Sequence, residues 1–397
     1  MTDLFFAVFI RYGSSFFSLL TSLYIARQLG AEDFGNFSLL IFICTAGASV
    51  LSLSVQRTVL MFISNEVEKN VQDVFSAYFT VAIVSAVLSF IISLFYTDFL
   101  LAIIISISVA GIQWQLFSSS LAVVNENYLI KKNQLFFFVG RASCLLSAYV
   151  FSFFYSSYYV YLLIFSICLV VPLFLEVLLV YKKYLLSFEL NMHYITDKIK
   201  KSKWMHLDTI FSQLIIFSSS FVLSQANGQP TESLGMYNLS QQIVISSLIV
   251  VSVFQIYISR IIKDKIDKRS LNLVVVRFFQ FSFGYFFLLI LVSTFFYFNY
   301  EIIGAEFKQL YFYVFFMSFA GVFSLGSKVM LPVFMRLGET KFISITTMFS
   351  GSLSLLLSFY LINSYGAYGA VASFCLGYFI SFIFFLYKFL GVLKYER

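Results

Sequence analysis

The sequence predicts an all-α polytopic membrane protein, with about 12 transmembrane helices in two six-helix lobes. Three observations predict it. Hydrophobic residues make up 60% of the 397-residue chain and charged residues only 11%, too few to cover a water-exposed surface of that size. The apolar residues come in runs of about 20 or more, the length at which a helix crosses a hydrocarbon core, whereas a barrel strand needs only about 10 alternating residues. The mean hydropathy is +0.91, and only three prolines interrupt the chain, which suits long helices.

Taken in order, the runs fall at 4–29, 36–63, 75–96, 99–124, 136–156, 159–180, 205–225, 235–260, 276–298, 309–335, 342–363 and 368–393. Span 1 follows the start MTDLFFAVFIRYGSS, which has no basic n-region and no short apolar core ending in a small-residue cleavage site. It is therefore read as a retained helix and not a signal peptide. Spans 1 and 2 are joined by GAEDFG, and the following joints are short and polar. The longest polar stretch, 181–204 with HYITDKIKKSK, separates spans 6 and 7. It divides the chain into an N-terminal lobe (1–180), a connector (181–204) and a C-terminal lobe (205–397). The connector lysines carry two readings, binding of anionic lipid headgroups or a topology signal on a linker.

Charge placement sets the orientation. With the N-terminus in the cytoplasm, the cytoplasmic loops and the C-terminal end carry nineteen Lys and Arg residues, from Lys69 to Arg397, while the opposite loops carry only Lys308. That asymmetry predicts both termini inside, and it supports the span count, because one missed helix would scramble the alternation. The formal net charge of +7 thus reflects membrane topology and no nucleic-acid surface.

An internal repeat accompanies the six-plus-six division. GAEDFGNFSLL follows span 1 and QPTESLGMYNLS follows span 7; Glu32, Gly35, Phe37 and Leu39 align with Glu232, Gly235, Tyr237 and Leu239 without gaps. Each is read as an outward hairpin in which glycine permits close approach and an aromatic anchors the next helix. Both copies enter the membrane in the same direction, which implies an axis along the membrane normal.

Charged residues inside spans are costly and usually face a cavity or the bundle interior. The candidates are Arg11, Arg57, Arg141, Arg277 and Lys328. Arg57 and Arg277 have the alternative of snorkelling to the surface. Arg141 is more deeply placed, with only about 15 apolar residues beyond it. Ser15, Ser18 and Ser22 share a helical face with Arg11, and span 2 carries Thr45, Ser49, Ser52 and Gln56, so the two stripes read as the wall of a wet cavity. Acidic groups are scarce: Glu176 and Asp208 lie near cytoplasmic span ends. A cavity rich in cations and poor in anions suits a phosphate or pyrophosphate.

Other chemistry is not indicated. There is no GxxxxGK[ST], HExxH or GxSxG motif, so neither an enzyme activity nor a cofactor is expected. Cys44, Cys144, Cys168 and Cys375 lie in apolar runs without metal spacing and are read as packed free thiols; His193 and His206 stand apart, and no metal site is expected. The many aromatics read as lipid-facing or packing residues, and the sequons at Asn36 and Asn238 as chance matches.

The segments IARQLGAEDFGNFSLL (Ile25–Leu40), LPVFMRLGETK (Leu331–Lys341) and YGAYGAVAS (Tyr365–Ser373) resemble Wzx-type polysaccharide flippases, within the multidrug/oligosaccharidyl-lipid/polysaccharide exporter superfamily. The resemblance implies two six-helix lobes working by alternating access in a bacterial inner membrane. It implies as cargo an undecaprenyl-diphosphate-linked oligosaccharide, of O-antigen or capsule type, moved from the cytoplasmic to the periplasmic leaflet. A polysaccharide polymerase and a chain-length regulator are its implied protein partners. Drug-exporting relatives of that superfamily use acidic residues in N-terminal helices for cation coupling, a pattern not expected of this sequence. The competing readings are a multidrug exporter and a membrane-integral polymerase or glycosyltransferase. The second is disfavoured because the longest predicted outer loop is about ten residues.

Overall fold

The computed structural model describes residues 2–57, 71–125, 127–155, 157–226, 231–248 and 268–395. Parts of predicted spans 2 and 8, with the loop cations Lys69, Arg260, Lys263 and Lys265 and the terminal Arg397, lie outside the described residues. The helices run α1 (Thr2–Leu51), α2 (Val71–Leu94), α3 (Phe99–Asn125), α4 (Asn127–Phe151), α5 (Tyr158–Val180), α6 (Lys182–Leu186), α7 (Met192–Gln225), α8 (Thr231–Ser247) and α9 (Lys268–Asn299). Two 3-10 turns at 300–302 and 305–307 follow, then α10 (Leu310–Arg336), α11 (Thr340–Tyr365) and α12 (Ala367–Tyr395). Among the described residues, ten helices are long and apolar enough to cross a membrane. The architecture is all-helical and multi-pass, as the sequence predicts.

The count of ten conceals the twelve predicted runs. At 50 residues, α1 would reach about 75 Å if straight, more than twice a hydrocarbon core, and it contains spans 1 and 2 in full or in part. Its helical conformation is interrupted at Gly30 (φ 75°, ψ 176°), a backbone state that costs glycine little and other residues much. The helix restarts at once, because the Glu306 carboxylate accepts the Ala31 N–H at 2.7 Å and satisfies one donor exposed by the break. The predicted 30–35 loop is therefore a kink. α8, the start of span 8, is described for 17 residues only.

Two compact units make up the chain. The first comprises Met1–Leu29 and Phe37–Ile210, the second Gly30–Asn36 and Phe211–Arg397. In the first, α2 packs on α3, α3 on α5 and α4 on α5; in the second, α9 packs on α10, α10 on α12 and α11 on α12. The second unit's interior is rich in paired hydroxyls: Ser219 Oγ lies 2.8 Å from Ser373 Oγ and 3.1 Å from Ser358 Oγ, joining α7, α11 and α12. Small hydroxyl residues let helices approach closely where lipid offers no hydrophobic drive, each bond contributing about 0.6 kcal/mol.

Helical structure extends further into the connector than the sequence predicts. Span 7 is expected from 205, but α7 begins at Met192, where Asn191 Oδ1 accepts the Tyr194 N–H at 3.0 Å as an N-cap. An Asp197–Lys201 pair at 2.7 Å and Lys198 over the Tyr194 ring stabilise the polar turns. The connector is tied to α2: Gln72 Nε2 donates to the Tyr184 and Ser187 carbonyls, and Phe75 packs against Tyr181 and Tyr184 at ring distances of 5.8 and 6.1 Å.

Candidate substrate-binding cations

Span 2 does not run straight to its predicted end. After Leu51 the helix breaks, and Leu53 (φ 50°) and Ser54 (φ 52°) occupy the left-handed region, where each non-glycine residue costs about 1–2 kcal/mol. Carbonyls freed inside a membrane need partners. They find them in serines: Ser85 on α2 donates to the Leu51 carbonyl at 3.1 Å, Ser202 on α7 to the Leu53 carbonyl at 2.9 Å, and Ser52 to the Ser49 carbonyl at 2.7 Å. The Ser54 hydroxyl lies 2.7 Å from that of Thr209. Interrupted helices of this kind recur at the binding sites of transporters.

Arg57 stands just beyond the break. Its Nη1 donates to Asp208 Oδ2 at 2.5 Å, with the arginine side chain 37% exposed and the aspartate 13%. The sequence offered snorkelling or a cavity for Arg57; the structure gives it a carboxylate partner on α7. Its neighbour Gln56 is buried, and its Oε1 has no hydrogen-bond partner among the described residues. Ser49 and Ser52 are likewise buried. On span 1, Ser15, Ser18 and Ser22 are half-buried, and the Ser22 hydroxyl donates back to the Ser18 carbonyl.

Arg141 differs. It sits mid-helix on α4 with its guanidinium carbon 5.3 Å from the centroid of the Phe165 ring on α5. Among the described residues no carboxylate pairs with it. A cavity of about 10 Å³, the size of a single water, opens beside it and is lined by Gln115, Cys144, Cys168 and Pro172. Arg141 is half-buried, and the aromatic face offsets part of the cost of a cation there without neutralising it.

In the second unit, Arg277 Nη1 donates to Gln280 one turn along α9 at 2.9 Å, and it is flanked by the exposed Val276 and Phe279. Lys328 is half-buried on α10, two turns before the helix ends. Arg11 lies on α1, but its side chain is outside the described ones. Arg57 and Arg141 thus belong to the first unit, Arg277 and Lys328 to the second.

Three features of these sites are not visible in the sequence alone. The Asp208 partner is 151 residues from Arg57, a separation no local pattern reveals. The break at 52–54 falls in LSLSVQRT, which holds neither glycine nor proline. Glu176, noted only as lying near a span end, is fully buried on α5 within a network of neutral partners, Ser118 and Asn133. Its signal was a lone acid within the apolar run LVVPLFLEVLLV.

Comparison with solved structures identifies the fold. An inward-facing multidrug resistance MATE family transporter of the MOP superfamily superposes with a TM-score of 0.71 at 12% identity, covering 98% of both chains. The lipid II flippase MurJ in an inward closed conformation matches with a TM-score of 0.69 at 16% identity, covering all of this chain and 90% of the other. A point mutant of the Vibrio cholerae MATE transporter VcmN matches at 0.63 and 14% identity over 100% and 97%. No family model matches the chain, and neither does any curated protein.

Proposed function

We propose that this chain is a membrane flippase that carries an anionic lipid-linked sugar, of the undecaprenyl-diphosphate oligosaccharide class, from the cytoplasmic to the periplasmic leaflet of an inner membrane by alternating access. The observation that carries the reading is Arg141: a guanidinium in the middle of a spanning helix without a carboxylate partner among the described residues. An intramembrane arginine costs at least about 2.5–3.5 kcal/mol, and a phosphate bound by charge-assisted hydrogen bonds offsets that cost. The fold shared with the lipid II flippase MurJ supports the same reading.

In this account Arg141 meets the diphosphate, while Arg57, part-neutralised by Asp208, contributes a weaker field. Arg11, Arg277 and Lys328 are proposed for the cargo's anionic groups only as cations carried within predicted spans. The buried Gln56 Oε1, and the buried side-chain oxygens of Gln213 and Gln242 in the second unit, have no hydrogen-bond partner among the described residues and suit sugar hydroxyls. The polyprenyl tail stays in lipid. Both termini lie in the cytoplasm, and polymerase and chain-length regulator act on the delivered product.

A second reading, multidrug export, is favoured by the MATE superposition and by the buried acid Glu176. Removal of the chain from its native cell separates the two. The flippase account expects lipid-linked oligosaccharide to accumulate on the inner leaflet, surface polysaccharide to be lost and drug tolerance to stay unchanged. Drug hypersensitivity with normal surface polysaccharide would replace it with the export reading.

A further inference from the structure

Glu176 is 1% exposed, and its partners Ser118 on α3 and Asn133 on α4 are 0% exposed. The Ser118 Oγ lies 2.6 Å from one carboxyl oxygen and 2.7 Å from the other. Asn133 Nδ2 donates to Glu176 Oε1 at 2.8 Å and also to the Ser118 oxygen. A hydroxyl owns one hydrogen and two acceptor lone pairs. With an ionised carboxylate, that single hydrogen faces two oxygens at once, and a lone pair of Ser118 meets a lone pair of Oε2. With a proton on Oε2 every contact is satisfied. Ser118 donates to Oε1, accepts from Oε2–H and accepts from Asn133.

The surrounding charges agree. α3 carries no charged residue. Among the described side chains, α4 contributes Lys132, Arg141 and Cys144, and the segment after α5 contributes Tyr181, Lys182, Lys183 and Tyr184. None of the described cations forms an ion pair with Glu176. Tyr181 is fully buried, and its hydroxyl has no hydrogen-bond partner among the described residues, so the immediate surroundings are polar but neutral. A carboxylate buried without a cation neutralises itself by taking up a proton.

We propose that Glu176 is a proton-binding site of the first unit, protonated while α5 is packed on α3 and α4 and releasing its proton to water when that packing opens. On release the O–H bond breaks, the proton passes to water, and Ser118 and Asn133 remain as donors to the carboxylate. The site stands on its own geometry; only its link to cargo movement rests on the flippase reading. That link makes transport respond to pH through one identified carboxyl.

Infrared difference spectroscopy of the purified chain in lipid nanodiscs, labelled with ¹³C-glutamate and carrying no cargo, tests the proposal. At neutral pH a protonated-carboxyl carbonyl band is expected, shifted by the label and missing in Glu176→Gln. Its absence from the wild-type spectrum, or its survival in the variant, would overturn the assignment. Because glutamine imitates the neutral acid, Glu176→Gln is expected to melt within a few degrees of wild type, whereas Glu176→Ala melts lower. A strongly destabilised glutamine variant, with alanine no worse, would also overturn it. The spectroscopic result is independent of cargo, so failure of the flippase reading leaves it intact.

Discussion

Gly35 and Gly235, equivalent positions of the internal repeat, lie backbone against backbone in the second unit. A Cβ built on Gly235 would collide with the Ala31 carbonyl oxygen, and one on Gly35 would stand 3.0 Å from the Gly235 amide nitrogen. The repeat that the sequence discloses is thus also a contact. Both obstacles are backbone and cannot swing aside. Gly235→Ala is expected to destabilise the protein by about 1–3 kcal/mol, the usual range for overpacking, and Gly35→Ala by less. Gly391→Ala, with nothing within 4 Å, is the control and should be neutral or slightly stabilising. Thermal unfolding in detergent reads the order.

Glu306 caps the kink beside that contact. Glu306→Ala removes the acceptor of the Ala31 N–H and should cost about 1 kcal/mol, as loss of a helix cap does, while Glu306→Gln retains an acceptor and should cost less. Hydrogen exchange at Ala31 reports the effect directly, with faster exchange in the alanine variant. Equal exchange in all three proteins would remove Glu306 from this role.

The pair Arg57–Asp208 is partly buried, so its loss belongs between the small effect of a surface pair and the large one of a buried pair. Asp208→Ala alone leaves a cation beside the helix break and should cost about 1–2 kcal/mol. The double change Arg57→Ala with Asp208→Ala should restore part of it. A double-mutant cycle on unfolding free energies measures the coupling, and additive effects would show that the contact contributes nothing.

The break at 52–54 makes a further prediction. Leu53 holds a left-handed conformation that glycine adopts freely, so Leu53→Gly should be tolerated, whereas the β-branched Leu53→Ile should destabilise by at least about 1 kcal/mol. In a continuous helix the order would reverse, because glycine weakens helix interiors. Comparison of the two melting temperatures decides.

How much of this was legible follows from what lipid demands of a chain. Spans were readable because burial in hydrocarbon needs about 20 apolar residues whatever their partners are. The joint at 30–35 was legible as a loop between spans 1 and 2, but not as a kink at Gly30 with the helix resuming at Ala31, because the acceptor comes from Glu306, 275 residues away. The break at Leu53 and Ser54 had no local sign, since serines on α2 and α7 hold it from a distance. For the candidate cations the charges were readable but their neighbours were not. The sequence separates Arg57 from Arg141 by depth in the span but not by partner; one has a carboxylate at 2.5 Å and the other a phenyl ring. Glu176 was visible as an acid, but the single hydroxyl shared by its two oxygens was not.

The central claim is that the Arg141 guanidinium receives the cargo's phosphate. Native mass spectrometry of the purified chain with a polyprenyl-diphosphate-linked oligosaccharide, wild type against Arg141→Ala, measures it most directly. The account predicts at least a tenfold weaker complex in the variant, about 1.4 kcal/mol, with binding of neutral glycolipid unchanged. Equal affinity of the two proteins for the diphosphate lipid would contradict it.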